Sequence, residues 1–166
     1  KDKRFEYKKI FECGIGSNNP FLESNMTANG KPGASLRVWR DFFPNAKIYG
    51  GDIDKEILFI EDRISTYYVD QFDNSTIKSM WSKINEDNFD IIIDDGAHFF
   101  TSNINFYEQS FYKLKKNGFY IIEDIRLSEI NFFYQYFENC IDNVEFISMK
   151  SNSTDGSSNL IVINKL

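Results

Sequence analysis

Phe89-Asp90-Ile91-Ile92-Ile93 drives into Asp94-Asp95-Gly96-Ala97-His98, which holds the only histidine of the chain. An apolar run of strand length, bounded by polar residues, is the pattern of a parallel strand covered on both faces. In open α/β sheets, ligands bind outside the carboxyl ends of such strands. Asp94, Asp95 and His98 therefore fall where chemistry is expected. Gly96 is expected to supply a tight bend that turns them toward one cavity. The competing reading is that the aspartates only cap the next helix and His98 lies on the surface.

The same strand-to-polar pattern recurs along the chain. Lys9 to Cys13 reads as a strand running into Gly14-Ile15-Gly16-Ser17. A long polar loop from Asn18 to Pro32 follows, and structureless loops of that length are more often functional than idle. Gly33-Ala34-Ser35 opens a helix with Leu36, Trp39 and Phe43 at helical spacing, stopped by Pro44. Lys47 to Asp52 is a strand, and Asp54 caps a short helix expected to run through Leu58 and Ile60. Thr66 to Val69 is a strand ending in Asp70-Gln71, and Ser75 to Ile84 a helix striped by Ile77, Met80, Trp81 and Ile84.

After the histidine, Thr101 or Ser102 is expected to cap a long helix carrying Ile104, Tyr107, Phe111 and Leu114, closed by Asn117-Gly118. Phe119 to Ile122 is a strand delivering Glu123-Asp124. Ser128 caps a helix with Ile130, Phe133, Tyr134 and Phe137. Val144 to Met149 and Leu160 to Ile163 are strands joined by the polar loop Ser151 to Ser158, too short for a crossover helix, so they should pair antiparallel. The expected fold is α/β: a Rossmann-like doubly wound sheet of seven strands, mostly parallel with an antiparallel C-terminal strand. Its 166 residues make one domain, 1–166.

Composition narrows the function classes. A formal charge of −6, with Lys and Arg scattered apart from the Lys113 to Lys116 cluster on an expected helix end, argues against nucleic acid. No stretch approaches the roughly 20 apolar residues of a membrane span, and there is no apolar secretory leader. Cys13 and Cys140 form no disulfide framework, which points to a reduced, cytoplasmic setting. The chain starts without Met and enters a strand almost at once, so an upstream region is expected to be missing.

Two groups of residues carry chemistry. In Glu12-Cys13-Gly14-Ile15-Gly16, glycines let a backbone approach a cofactor. Where a third glycine would complete a dinucleotide fingerprint, Asn19 stands instead. A carboxylate at the end of the next strand, Asp52, can accept both hydroxyls of a ribose; its plainer reading is a helix cap. The second group is Asp95 and His98 after one strand, and Glu123 and Asp124 after the next. Sequential parallel strands usually lie side by side. Carboxylates converging there repel one another unless a hard divalent cation joins them, and oxygen ligands favour Mg²⁺, Mn²⁺ or Ca²⁺ over zinc. Asp94 is assigned no metal contact; it holds the turn or reaches toward the cofactor.

Together with Gly33 to Pro44, Gly51-Asp52-Ile53-Asp54, Asp70-Gln71-Phe72-Asp73, Asp94-Asp95-Gly96-Ala97-His98 and Ile122-Glu123-Asp124, the chain resembles class I S-adenosylmethionine-dependent methyltransferases. Within them it is most similar to the metal-dependent sugar O-methyltransferases of macrolide tailoring, and it also looks like bacterial proteins labelled cephalosporin hydroxylases. The resemblance runs from about Phe11 to Asp124. It implies S-adenosyl-L-methionine held by Glu12, Gly14, Gly16 and Ser35 at its methionine end, Asp52 at the ribose, and Ile53, Asp70 and Gln71 around the adenine. It implies Mg²⁺ on Asp95, Glu123 and Asp124, with His98 as general base. Ala97 stands where a Ser is more usual.

The implied acceptor is a small molecule or sugar, of a natural product or a surface polysaccharide precursor, and a homo-oligomer is compatible with the resemblance. Two rival classes stay open. One is an NAD-dependent oxidoreductase, against which the missing glycine and the lack of a Tyr-x-x-x-Lys pair speak. The other is a non-catalytic cofactor-binding or structural domain.

Overall fold

The computed structural model describes residues 2–22, 24–148 and 159–166. Its strands are β1 Lys9–Cys13, β2 Lys47–Asp52, β3 Ile60–Glu61, β4 Ile64–Tyr68, β5 Phe89–Asp94, β6 Leu114–Ile125, β7 Asn143–Ser148 and β8 Asn159–Asn164. The helices are α1 Ala34–Phe42, α2 Asn74–Ile84, α3 Phe100–Ser110 and α4 Ile130–Phe137. One sheet runs in the order β3-β4-β2-β1-β5-β6-β8-β7. The pairs β4/β2, β2/β1, β1/β5 and β5/β6 are parallel, whereas β6/β8 and β8/β7 are antiparallel. The expected α/β architecture and its antiparallel C-terminal pair are both present. Met149 and the Ser151 to Ser158 loop lie outside the described residues.

Side chains alternate across each strand. Phe11, Phe89, Ile92, Tyr120 and Ile161 pack with Trp81, Phe106 and Phe133 from α2, α3 and α4 on one face. Ile10, Ile48 and Ile64 pack with Leu36 of α1 on the other. Asp90, the polar residue inside the β5 run, is buried at the opposite end of the sheet from the site. Its carboxylate accepts from the amides of Lys8 (2.6 Å) and Lys9 (2.8 Å) and pairs with the Lys115 ammonium, so no charge there is stranded.

Several local expectations need correction. The sheet has eight strands rather than seven: Ile60 does not extend a helix but opens β3, which folds back on β4 through a left-handed Arg63 (φ 58°). The Asp54-capped segment is a single 3-10 turn, Lys55–Ile57. The helix after His98 stops at Ser110, and neither Thr101 nor Ser102 caps it; Phe99 stands at its N-cap. Phe111–Lys113 is a 3-10 turn, after which Leu114 begins β6. Tertiary contacts override helical spacing there: Lys165 Nζ donates to the carbonyls of Phe111 (3.1 Å) and Leu114 (2.7 Å), and Asn117 N to Lys165 O (2.7 Å). Lys115 and Lys116 therefore sit in a strand rather than on a helix end. Likewise Ser128 does not cap α4, whose N-cap is Glu129 without a side-chain bond.

Candidate active site

Strand order reverses at β1, where the chain leads to β2 on one side and β5 on the other. The crevice above a switch point of this kind is where open α/β sheets bind ligands. A cavity of about 640 Å³ opens there, within the range of small-molecule sites. Its walls come from the turn after β1, the ends of β2 and β4, the loop after β5 and Asp124 of β6.

The β1 turn is built on left-handed glycines, Gly14 (φ 83°) and Gly16 (φ 82°). A Cβ on Gly14 would lie 2.0 Å from the carbonyl oxygen of Asp95. Cys13 O accepts from Asp95 N at 2.8 Å, so this turn and the acidic loop are in direct contact. Gly16 leaves room for Met26 of the long polar loop, which is tied back by Met26 N to Ser17 O at 2.8 Å. Leu22, Asn25 and Met26 thereby join the cavity wall.

Asp52 is buried on that wall; its two oxygens accept from Ile15 N and Asp54 N, both at 2.9 Å. Burial raises its pKa against the pull of those amides. Asp54, not Asp52, caps the 3-10 turn that follows, and Asp52 instead ties the β1 turn to the end of β2 on the cavity wall. Ile53, Asp70 and Ser35 also line the cavity. Glu12 does not. It points to the α1 face, where it takes hydrogen bonds from the Ser35 hydroxyl and the Trp39 indole, and burial pushes its carboxyl up to about 7. Gln71 reaches the wall, but its side-chain amide is turned onto the acidic loop: Nε2 donates to Asp94 Oδ1 at 2.6 Å and Oε1 accepts from Ala97 N at 2.7 Å.

That loop is held from below. Asp94 is fully buried and also accepts from Asn103 Nδ2 of α3 at 2.9 Å; burial pushes its carboxyl up to about 7. The chain bends at Gly96 and Ala97 as expected, and the left-handed conformation falls on His98 (φ 57°). The absent Cβ of Gly96 admits the Gln71 amide, since a Cβ would meet Oε1 at 2.0 Å. Asp124 likewise has a left-handed backbone (φ 50°) at the register break between β6 and β8. Such conformations cost a non-glycine residue about 1–3 kcal/mol, and they collect at functional sites.

Asp95, His98 and Asp124 each offer a ligand atom within 4.8 Å of the other two. Burial pushes the Asp95 carboxyl up to about 9, with added repulsion from Glu123, Glu12, Asp124 and Asp94. Glu123 stands off the cavity wall, half-buried, and burial followed by Asp124 raises its pKa. Carboxylates that raise one another beside an imidazole form a donor set suited to a hard divalent cation, whose charge relieves the repulsion.

Two features had no clear sequence signal: the orientation of Gln71 and the left-handed Asp124. Asn103 had one, as an amide on the buried stripe of α3. Phe72 and Phe99, with ring centroids 6.3 Å apart, also line the cavity.

No family model matches the chain. Among characterised proteins, it is 37% identical over 126 residues to mycinamicin VI 2''-O-methyltransferase of Micromonospora griseorubida. It is 36% identical over 126 residues to demethylmacrocin O-methyltransferase of Streptomyces fradiae. Each match covers 75% of this chain and 29% of the relative, so the chain spans under a third of the length of the curated relatives it matches. Among solved structures, the MycE methyltransferase of the mycinamycin pathway, in complex with Mg, SAH and mycinamycin VI, superposes with a TM-score of 0.69 at 23% identity. That match covers 99% of this chain and 46% of MycE. An rRNA methylase from Streptococcus thermophilus superposes at 0.59 with 12% identity, covering 96% of this chain and 87% of that one. The fold is that of these methyltransferases.

Proposed function

We propose that this chain, whose homologues are sugar O-methyltransferases of antibiotic pathways, is a single domain, residues 1–166, that transfers a methyl group from S-adenosylmethionine to a sugar hydroxyl with the help of Mg²⁺. The observation that carries this reading is the meeting, in one cavity, of a glycine turn with Asp52 and of Asp95 with His98 and Asp124. Gly14, Gly16 and Ser35 face the methionine end of the cofactor, Asp52 its ribose, and Ile53 and Asp70 its adenine. Asp95 and Asp124 hold the cation, with Glu123 as the third carboxylate. When bound, the cation supplies positive charge that acidifies a neighbouring hydroxyl.

His98 accepts the proton of that hydroxyl. The surrounding walls hold the acceptor oxygen in line with the methyl group, and such alignment accounts for much of the acceleration in displacement reactions. The net charge of −6 disfavours nucleic acid, and the acceptor is a neutral small molecule or glycoside. No described helix is long and apolar enough to cross a membrane. The free, buried Cys13 thiol, raised well above its ordinary pKa by burial, fits a reducing cytoplasm.

The test is methyl transfer from labelled S-adenosylmethionine to a panel of glycosides, using protein stripped with EDTA and then given graded Mg²⁺. A methyl ether that forms only with the cation supports the reading. Undiminished transfer in EDTA removes the metal from it.

A further inference from the structure

The side chain of Gln71 crosses the site floor between the end of β4 and the loop after β5. It is 5% exposed, and each end of its amide is engaged. Nε2 donates to Asp94 Oδ1 (2.6 Å), and Oε1 accepts from Ala97 N (2.7 Å). Asp94 is gripped from the other side by Asn103 Nδ2 (2.9 Å), and the Gln71 carbonyl accepts from Asn105 Nδ2 (2.7 Å). Asn103 and the Gln71 amide therefore hold the Asp94 carboxylate before Asp95, the same amide holds the Ala97 backbone after it, and Asn105 anchors the Gln71 backbone. Gly96 is shaped to this contact, because any side chain there would strike Gln71.

We infer that Gln71 is a positioning residue: its amide bridges Asp94 and Ala97, setting the loop so that Asp95 and His98 face Asp124 across the cation site. This rests on the metal reading of the acidic cluster.

A neutral amide suits both partners. A carboxylate accepts and a backbone N–H donates, so the residue between them must present one donor and one acceptor about two bonds apart. Glu at 71 would set a carboxylate against buried Asp94, and Met would keep the volume while losing both hydrogen bonds. Asn is one methylene too short to reach. The bridge also joins two functions of one cavity, because Gln71 leaves β4 beside Asp70 on the proposed adenine side and ends on the metal loop.

The experiment is Mn²⁺ titration, by calorimetry or electron paramagnetic resonance, of unaltered protein, Gln71→Met and Asn105→Ala, with S-adenosylhomocysteine affinity measured in parallel. No transferase activity is needed. Gln71→Met should weaken Mn²⁺ at least tenfold and by more than it weakens S-adenosylhomocysteine, whereas Asn105→Ala, off the cavity wall, should leave S-adenosylhomocysteine affinity within about threefold. Asn105→Ala, which only loosens the backbone of Gln71, should fold normally and weaken Mn²⁺ by a smaller factor. Amide exchange at Ala97 should accelerate in Gln71→Met, which a general loss of packing would not confine to that loop.

Wild-type Mn²⁺ affinity in both variants would overturn the inference and leave the metal reading standing. Absence of Mn²⁺ binding in the unaltered protein would overturn both. If Gln71→Met does not fold, unchanged affinity in Asn105→Ala alone counts against the inference.

Discussion

Replacing Asp95 by Asn should make the cation-free protein more stable while abolishing its response to Mg²⁺. The Asp95 carboxyl rises from 3.8 to about 9 in the fold, chiefly through burial. A folded pKa above the unfolded one means that the native chain binds more protons. Its stability is complete below the ordinary carboxyl value and is lost as pH climbs from there toward 9. At pH 7 roughly three pH units of that window have been crossed, an upper bound of ~4 kcal/mol at about 1.4 kcal/mol per unit. The side chain borders an open cavity, and solvent screening reduces the figure to ~1–2 kcal/mol. For a chain of this size that is roughly 3–6 °C in Tm.

The assay is thermal unfolding at pH 5 to 8 in EDTA, repeated in Mg²⁺. The unaltered protein should lose Tm as pH rises in EDTA and regain it with Mg²⁺. Asp95→Asn should unfold at a higher temperature at pH 7 in EDTA and ignore the cation. A variant less stable than wild type in EDTA at pH 7, or a wild-type Tm that rises with pH without cation, would refute the electrostatic reasoning.

Asp52→Ala should weaken S-adenosylhomocysteine tens of fold in calorimetry, on the order of 2 kcal/mol, and should also lower Tm, since Ile15 N and Asp54 N lose their acceptor. Gly14→Val should act through folding: its Cβ meets the Asp95 backbone at 2.0 Å in a left-handed conformation, costing on the order of 3 kcal/mol, visible as a low Tm without ligand. His98→Ala should cut turnover roughly 10²–10⁴-fold with cofactor affinity nearly intact, read from the pH–rate profile; wild-type turnover would remove the histidine from proton transfer.

The strands that build the cavity could be read from the chain because each is a short apolar run ending in a residue with a chemical use: Cys13 before Gly14, Asp52, Asp94 before Asp95. The boundary between α3 and β6 could not. Phe111 and Leu114 continue the phase of Ile104 and Tyr107, and what ends the helix is the C-terminal Lys165, more than 50 residues away. Gly96 illustrates a different limit. A glycine beside two aspartates reads as a bend, and the chain does bend there, but its missing side chain also admits the Gln71 amide from the turn after β4. Glu12 shows the reverse, a carboxylate in a cofactor-like motif whose hydrogen bonds are made to Ser35 and Trp39. Spacing reveals which strand end a residue occupies. Which way its side chain then turns is decided by neighbours distant in sequence.

The most direct test of the central claim is anomalous diffraction at the manganese edge from a crystal grown with S-adenosylhomocysteine and Mn²⁺. The account predicts a single peak in the cavity on carboxylate oxygens of Asp95 and Asp124, with the nucleoside resting against Asp52. Mn²⁺ bound elsewhere, or a loaded cavity with Asp95 and Asp124 free of metal, would contradict it.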